Sequence, residues 1–273
     1  MEDGYSVDLI TRHSIDFMER NRKKPFFLYI AHLAIHFPWQ GPDEQAHRVK
    51  GQDYWNLLKL GPHEEGDVGP VVRQMVEALD RSVGQIMTAI KRLGLDDNTF
   101  VLFTSDNGGY LNYGTRHEGE ISSNGPLRGQ KGDVFEGGHR VPAIAWWPGR
   151  IRPGVVAQDT AMTMDLMPTY LELANANLPG LENRSTLDGR TLSPVLFEGL
   201  PLQERALFWR SGKEWAVRWG SWKLVGDEKS QAMLFNLDED IGEERNLARD
   251  KPGLVEKLVA AYRDWEKDVS GKT

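Results

Sequence analysis

Cysteine does not occur anywhere in the 273 residues. Disulfides, thiolate metal sites and a cysteine nucleophile are thereby excluded, and the redox state of the compartment leaves no mark on the chain. The formal net charge is −7, and without a basic block nucleic acid is not an expected partner. Long hydrophobic runs are missing too; the longest fall well short of the roughly 20 residues that span a bilayer. The opening Met1-Glu2-Asp3-Gly4-Tyr5 has no basic head followed by an apolar core, so no signal peptide is read. The expectation is that the chain is either cytoplasmic or without its natural N-terminus.

What is present suits a folded protein with a substantial core. Nine tryptophans and an apolar fraction of 40% argue against disorder. Ser6 to Asn21 carries Val7, Ile10, Ile15, Phe17 and Met18 near helical spacing, with Ser6 as N-cap. Phe26 to Ala31 is a continuous apolar run, which predicts a parallel strand covered on both faces. Residues 39–70 are polar and aperiodic, a long loop of the kind that lines sites. Val72, Met75, Leu79, Val83, Ile86, Ile90 and Leu93 then predict a long amphipathic helix stopped by Gly94. Strand, loop, helix and strand together give a βαβ pattern.

The chain is organised around Thr99 to Pro142. Phe100-Val101-Leu102-Phe103-Thr104 predicts a buried strand that breaks into Ser105-Asp106-Asn107-Gly108-Gly109. A carboxylate and a carboxamide thus stand where a strand ends, the place where α/β sheets hold ligands. Pro126-Leu127-Arg128-Gly129-Gln130-Lys131-Gly132 and Glu136-Gly137-Gly138-His139-Arg140-Val141-Pro142 follow. Hard oxygen ligands, a lysine between glycines and glycine-rich backbone suit a divalent cation and an oxyanion.

Beyond it, Ala143 to Trp147 predicts a strand, and Asp165 a cap for a helix with Pro168 in its first turn. Ala206–Trp209, Trp215–Arg218, Trp222–Val225 and Leu234–Leu237 read as short antiparallel strands. A last helix from Gly253 to about Lys267 sets Leu254, Leu258, Ala261, Tyr262 and Trp265 on one face.

These motifs resemble type I sulfatases of the alkaline phosphatase superfamily. The likeness extends to Ile35-His36-Phe37-Pro38, to Asp165-Leu166-Met167-Pro168-Thr169 and to Leu234-Phe235-Asn236-Leu237-Asp238-Glu239-Asp240. It implies an α/β fold, with a partial, mostly parallel sheet flanked by helices over residues 1–200. A small antiparallel sheet plus helix would occupy 201–273. It implies a sulfuric ester hydrolase acting on an aryl or carbohydrate sulfate with a calcium ion. Asp106 and Asn107 match two calcium ligands, Lys131 a lysine on the sulfate and leaving oxygen, and His36 a histidine facing the sulfate. Calcium does prefer carboxylate and amide oxygens, and a cation with a lysine can neutralise charge on a sulfuryl group. The family analogy also implies a periplasmic or secreted location.

The departures are as informative. The family's formylglycine nucleophile arises from a Cys/Ser-x-Pro/Ala-x-Arg motif, and no segment here fits it. The paired aspartates that complete the metal site have no counterpart; Asp96-Asp97 precedes a later strand. The expectation is a C-terminal portion of such an enzyme, inactive alone. Alternatives are a phosphonate or phosphodiester hydrolase of the same superfamily, or a non-catalytic chain that binds sulfated glycans. His32 reads as structural, and His63 with Glu64 and Glu65 as a solvated loop. Glu136 with Arg140 reads as an ion pair fixing the glycine turn. His117, Asn124 and Arg128 could shape a pocket or simply be solvated, and the tryptophan-rich hairpin reads as packing rather than a glycan platform.

Overall fold

A computed structural model describes residues 2–45, 63, 66–112, 121–176, 187–228 and 231–271. The chain divides into two compact units, one of residues 1–99 with 110–123 and one of 100–109 with 124–273.

In the first unit, helix α1 (Ser6–Asn21) packs on helix α2 (Gly69–Arg92). Tyr5, not Ser6, occupies the cap position of α1. Its buried stripe is Val7, Thr11, Ser14 and Met18, at helical spacing but with two hydroxyls in it. Both hydroxyls are satisfied within the turn: Thr11 donates to the Val7 carbonyl at 2.6 Å and Ser14 to that of Ile10 at 2.7 Å. The buried face of α2 runs through Val71, Val72, Met75, Ala78, Ser82, Ile86, Ala89 and Ile90, so Leu79 and Val83 stand at its margin. Gly94, at φ +66°, ends α2 with Gly94 N–H on Lys91 and Leu95 N–H on Ile90, both at 3.0 Å. Those two bonds are the Schellman arrangement.

Phe26 to Ala31 differs from expectation. It pairs with no other strand among the described residues, and Phe27 and Tyr29 are 67% and 80% exposed while Phe26, Leu28 and Ile30 are half-buried. A sheet strand requires a hydrogen-bonded neighbour, and one-sided cover leaves a period of two instead of a run buried throughout.

The second unit holds strand β1 (Val101–Thr104) and strand β2 (Ala143–Trp146), paired antiparallel with Val101 opposite Trp146 and Thr104 opposite Ala143. The pair is only partly covered, with Phe103 42% and Ile144 62% exposed. Between them lies a single helical turn, α3 (Glu136–His139). Helix α4 (Leu166–Leu173) follows Asp165, whose carboxylate does not cap it. It accepts instead from Met162 N–H and Arg190 N–H, both at 2.8 Å, and from Arg205.

The C-terminal region is a four-stranded meander of β3 (Ala206–Ser211), β4 (Glu214–Trp219), β5 (Trp222–Asp227) and β6 (Met233–Asn236), in sequence order and antiparallel throughout. Helix α5 (Pro252–Ser270) covers one face. There Val217, Leu224, Leu234, Leu258 and Tyr262 form a core. Alternate residues Ala216, Val225 and Phe235 turn to the other face, against Val134 and Phe135. Trp215 stacks on Tyr262 and Phe208 on Trp265, so the aromatic-rich hairpin is packing. The sheet therefore carries a helix on one side and the segment leading to α3 on the other.

Candidate active site

β1 delivers Ser105 to Gly109 as a tight loop at its carboxyl end. The tightness has a cause in the glycines. A Cβ on Gly108 would lie 1.8 Å from the Gly137 carbonyl oxygen, and one on Gly138 2.1 Å from that of Asp133. Only bare backbone allows this approach, and it is secured by Gly108 N–H donating to the Gly138 carbonyl at 3.1 Å.

Asp106 is exposed and Asn107 half-buried. The Asn107 Nδ2 donates to the Gly108 carbonyl at 2.9 Å, so its Oδ1 is the atom available to a cation. A carboxylate and an amide oxygen fit calcium, but calcium takes about six to eight oxygens. Among the described residues no group of three or more His, Asp or Glu converges as a metal site. These two residues thus fit part of a shell.

Lys131 stands at the corner of a turn. Asp133 N–H donates to the Gln130 carbonyl at 2.9 Å, and Gly132 takes φ +96° at the third position, which a type II turn requires. The Lys131 N–H donates to the Gly109 carbonyl at 3.1 Å, tying the lysine loop to the Asp106–Asn107 loop. Asn124 completes the tie. Its Oδ1 accepts from Gly109 N–H at 2.8 Å, and its Nδ2 donates to the carbonyls of Gly109 at 2.8 Å and Gly129 at 3.0 Å. Sequence reading left Asn124 undecided between pocket and solvent; the structure makes it the clamp of the two loops.

His36 belongs to the first unit and is exposed. Its Nδ1 stands 2.5 Å from the Phe37 carbonyl. A carbonyl only accepts, so Nδ1 is the donor of this contact. His63 is paired with Glu44 at 2.6 Å rather than solvated alone, while His117, Glu64 and Glu65 lie outside the described residues.

The expected Glu136–Arg140 pair is present at 3.4 Å, but it belongs to a larger buried set. Lys223 Nζ lies 2.9 Å from Glu136 and 2.9 Å from Glu243, and Arg218 lies 3.1 Å from Glu136. Glu136, Lys223 and Glu243 are fully buried. Burial pushes the Glu136 carboxyl up, but Lys223 and Arg218 outweigh it and hold it below the ordinary value. Burial wins at Glu243: Lys223 and the Glu136 N–H pull its carboxyl down, but burial, joined by the Glu136 charge, pushes it up. Burial, then the charge of Lys223, lowers His139 to about 4. The motif signal for Lys223 and Glu243 was absent, since neither stands in a glycine-rich run.

Residues 2–176 match the family model described as Sulfatase. The chain belongs to the sulfatase family. It is 36% identical over 219 residues to the N-acetylgalactosamine-6-sulfatase of Mus musculus, covering 80% of this chain and 38% of that protein. Against the arylsulfatase A of Bos taurus it is 35% identical over 275 residues, covering 90% of this chain and 49% of that protein. The sulfatase chain therefore spans about half or less of the length of these relatives. Ps i-CgsB, solved in complex with k-i-k-neocarrahexaose, superposes with a TM-score of 0.80 at 29% identity, covering 97% of this chain and 55% of that one. The alkaline phosphatase-like α/β class expected from the motifs is thus shown.

Proposed function

We propose that this sulfatase chain carries the anion-facing part of a sulfuric ester hydrolase site acting on an aryl or carbohydrate sulfate. The observation that carries the reading is the junction of two loops, Asp106–Asn107 and Lys131, through Gly109 and Asn124. Asp106 and Asn107 would hold calcium, which neutralises charge on sulfuryl oxygens when bound. Lys131 offers a positive charge to the sulfate and to the oxygen that leaves. His36 would hold a proton for that oxygen. The relatives named above act on sulfated hexosamine and aryl sulfate by their names, which supports an ester of that kind.

The chain does not fit the family's formylglycine, because it has neither cysteine nor a Cys/Ser-x-Pro/Ala-x-Arg segment. The reading therefore assigns anion binding to this chain, and turnover only together with a nucleophile supplied from elsewhere.

The test is titration of the 273-residue chain with inorganic sulfate and with a chromogenic aryl sulfate, with and without calcium. Calcium-dependent binding that disappears in Asp106→Ala and Lys131→Ala, with hydrolysis at background, supports the reading. Binding that ignores both substitutions overturns it, and turnover by the chain alone overturns the assignment of the nucleophile.

A further inference from the structure

The loop that follows the C-terminal sheet meets the backbone behind the site at Glu243. Glu243 has φ +53°, a left-handed conformation that side-chain-bearing residues rarely adopt, and it is fully buried. Two hydrogen bonds and one ion pair hold it there. Its Oε2 accepts from Glu136 N–H at 2.7 Å, its Oε1 lies 2.9 Å from Lys223 Nζ, and its own carbonyl accepts from Arg128 Nη1 at 2.8 Å.

Each contact leads to a different part of the site. Glu136 opens the turn whose Gly138 carbonyl receives Gly108 N–H, one residue beyond Asn107. Arg128 begins the loop that presents Lys131, and its guanidinium lies 4.0 Å above the Phe135 ring. Lys223 comes from the middle of β5 and meets Glu136 as well. The metal loop and the lysine loop thus share a single foundation, and it belongs to the C-terminal sheet and its following loop.

We propose that Glu243 is a positioning residue of the anion site. It sets the spacing between the Asp106–Asn107 loop and Lys131, so that sulfate affinity depends on a residue that touches neither ligand. A packing role alone would alter stability and leave the folded site unchanged. A positioning role alters the folded site itself. The consequence for sulfate affinity rests on the function proposed above; the consequence for loop geometry does not.

The experiment compares the whole chain with Glu243→Gln and Arg128→Met by amide NMR, well below the unfolding temperature. Glu243→Gln keeps an acceptor for Glu136 N–H and removes the charge facing Lys223. Arg128 is exposed, so Arg128→Met cuts the bond to the Glu243 carbonyl from the solvent side and keeps the chain folded should the buried variant fail. Displaced Gly109 and Lys131 amide signals, without ligand, are expected in both variants. Titration with inorganic sulfate and calcium should then show affinity reduced roughly tenfold. Unchanged signals at Gly109 and Lys131 in a folded variant overturn the proposal. Displaced signals with wild-type sulfate affinity overturn its link to binding. If the unsubstituted chain binds no sulfate, the functional reading fails, while the amide signals still decide the role of Glu243.

Discussion

Asn124 grips Gly109 by both of its backbone polar groups, accepting from its N–H and donating to its carbonyl, each at 2.8 Å. A third bond to the Gly129 carbonyl leaves no amide hydrogen of Asn124 unspent. This pattern resembles strand pairing, made by one side chain between two loops.

Asn124→Ala removes three hydrogen bonds and leaves part-buried backbone groups to find water. The expected cost is about 1–3 kcal/mol in unfolding free energy. Asn124→Asp should cost more, because two carbonyl oxygens would then face a carboxylate. Urea denaturation ranks the two; an aspartate variant as stable as the unsubstituted chain would refute the clamp.

Lys223 lies 2.9 Å from each of the two buried glutamates. Lys223→Met should destabilise the chain by about 3–5 kcal/mol, since two buried carboxyls lose their shared partner. Adding Glu136→Gln and Glu243→Gln should restore much of that loss. A triple variant that simply sums the single losses would show that the three do not act as a set.

His139, stacked 4.3 Å from the Trp209 ring, titrates at about 4 when folded against 6.5 ordinarily. The unfolded chain binds a proton that the folded chain refuses between those values. Stability should therefore be full above pH 6.5 and fall as pH drops toward about 4, by up to about 3 kcal/mol. His139→Gln should flatten that part of the pH profile. An unchanged slope in unfolding free energy from pH 7 to 4 would point to other groups.

Gly108→Ala places a methyl 1.8 Å from the Gly137 oxygen, so the loop must move. Gly132→Ala meets nothing within 4 Å and suffers only its φ of +96°. Thermal melts should show a large loss for Gly108→Ala and a loss of about 1–2 kcal/mol for Gly132→Ala. Similar losses would mean that the close approach is not tight in solution.

Much of this was legible in the chain itself. The break from Phe103-Thr104 into Asp106-Asn107-Gly108 located the loop because apolar strand and turn residues meet there. The period of α2 and the short strands of the meander were equally readable. Phe26 to Ala31 was not, since pairing depends on a neighbour that the run cannot specify. Lys223 defeated sequence reading for a related reason: a lysine between Trp222 and Leu224 looks like the solvated side of a strand. The approach of Glu136, 87 residues away in sequence, together with Glu243 gives it buried partners. Asn124 was ambiguous because an asparagine in a glycine-rich loop has the same signature whether it clamps backbone or faces water.

The meander also has a kinetic meaning. Its four strands follow one another in the chain and pair with their immediate neighbours, so its contacts are local and its formation should be fast. The bonds from Glu136 to Lys223 and Glu243 close loops of 87 and 107 residues. They therefore form late, on a sheet that is already there. The lysine should keep its water until Glu136 arrives, and the loops resting on Glu136 should take shape after the sheet.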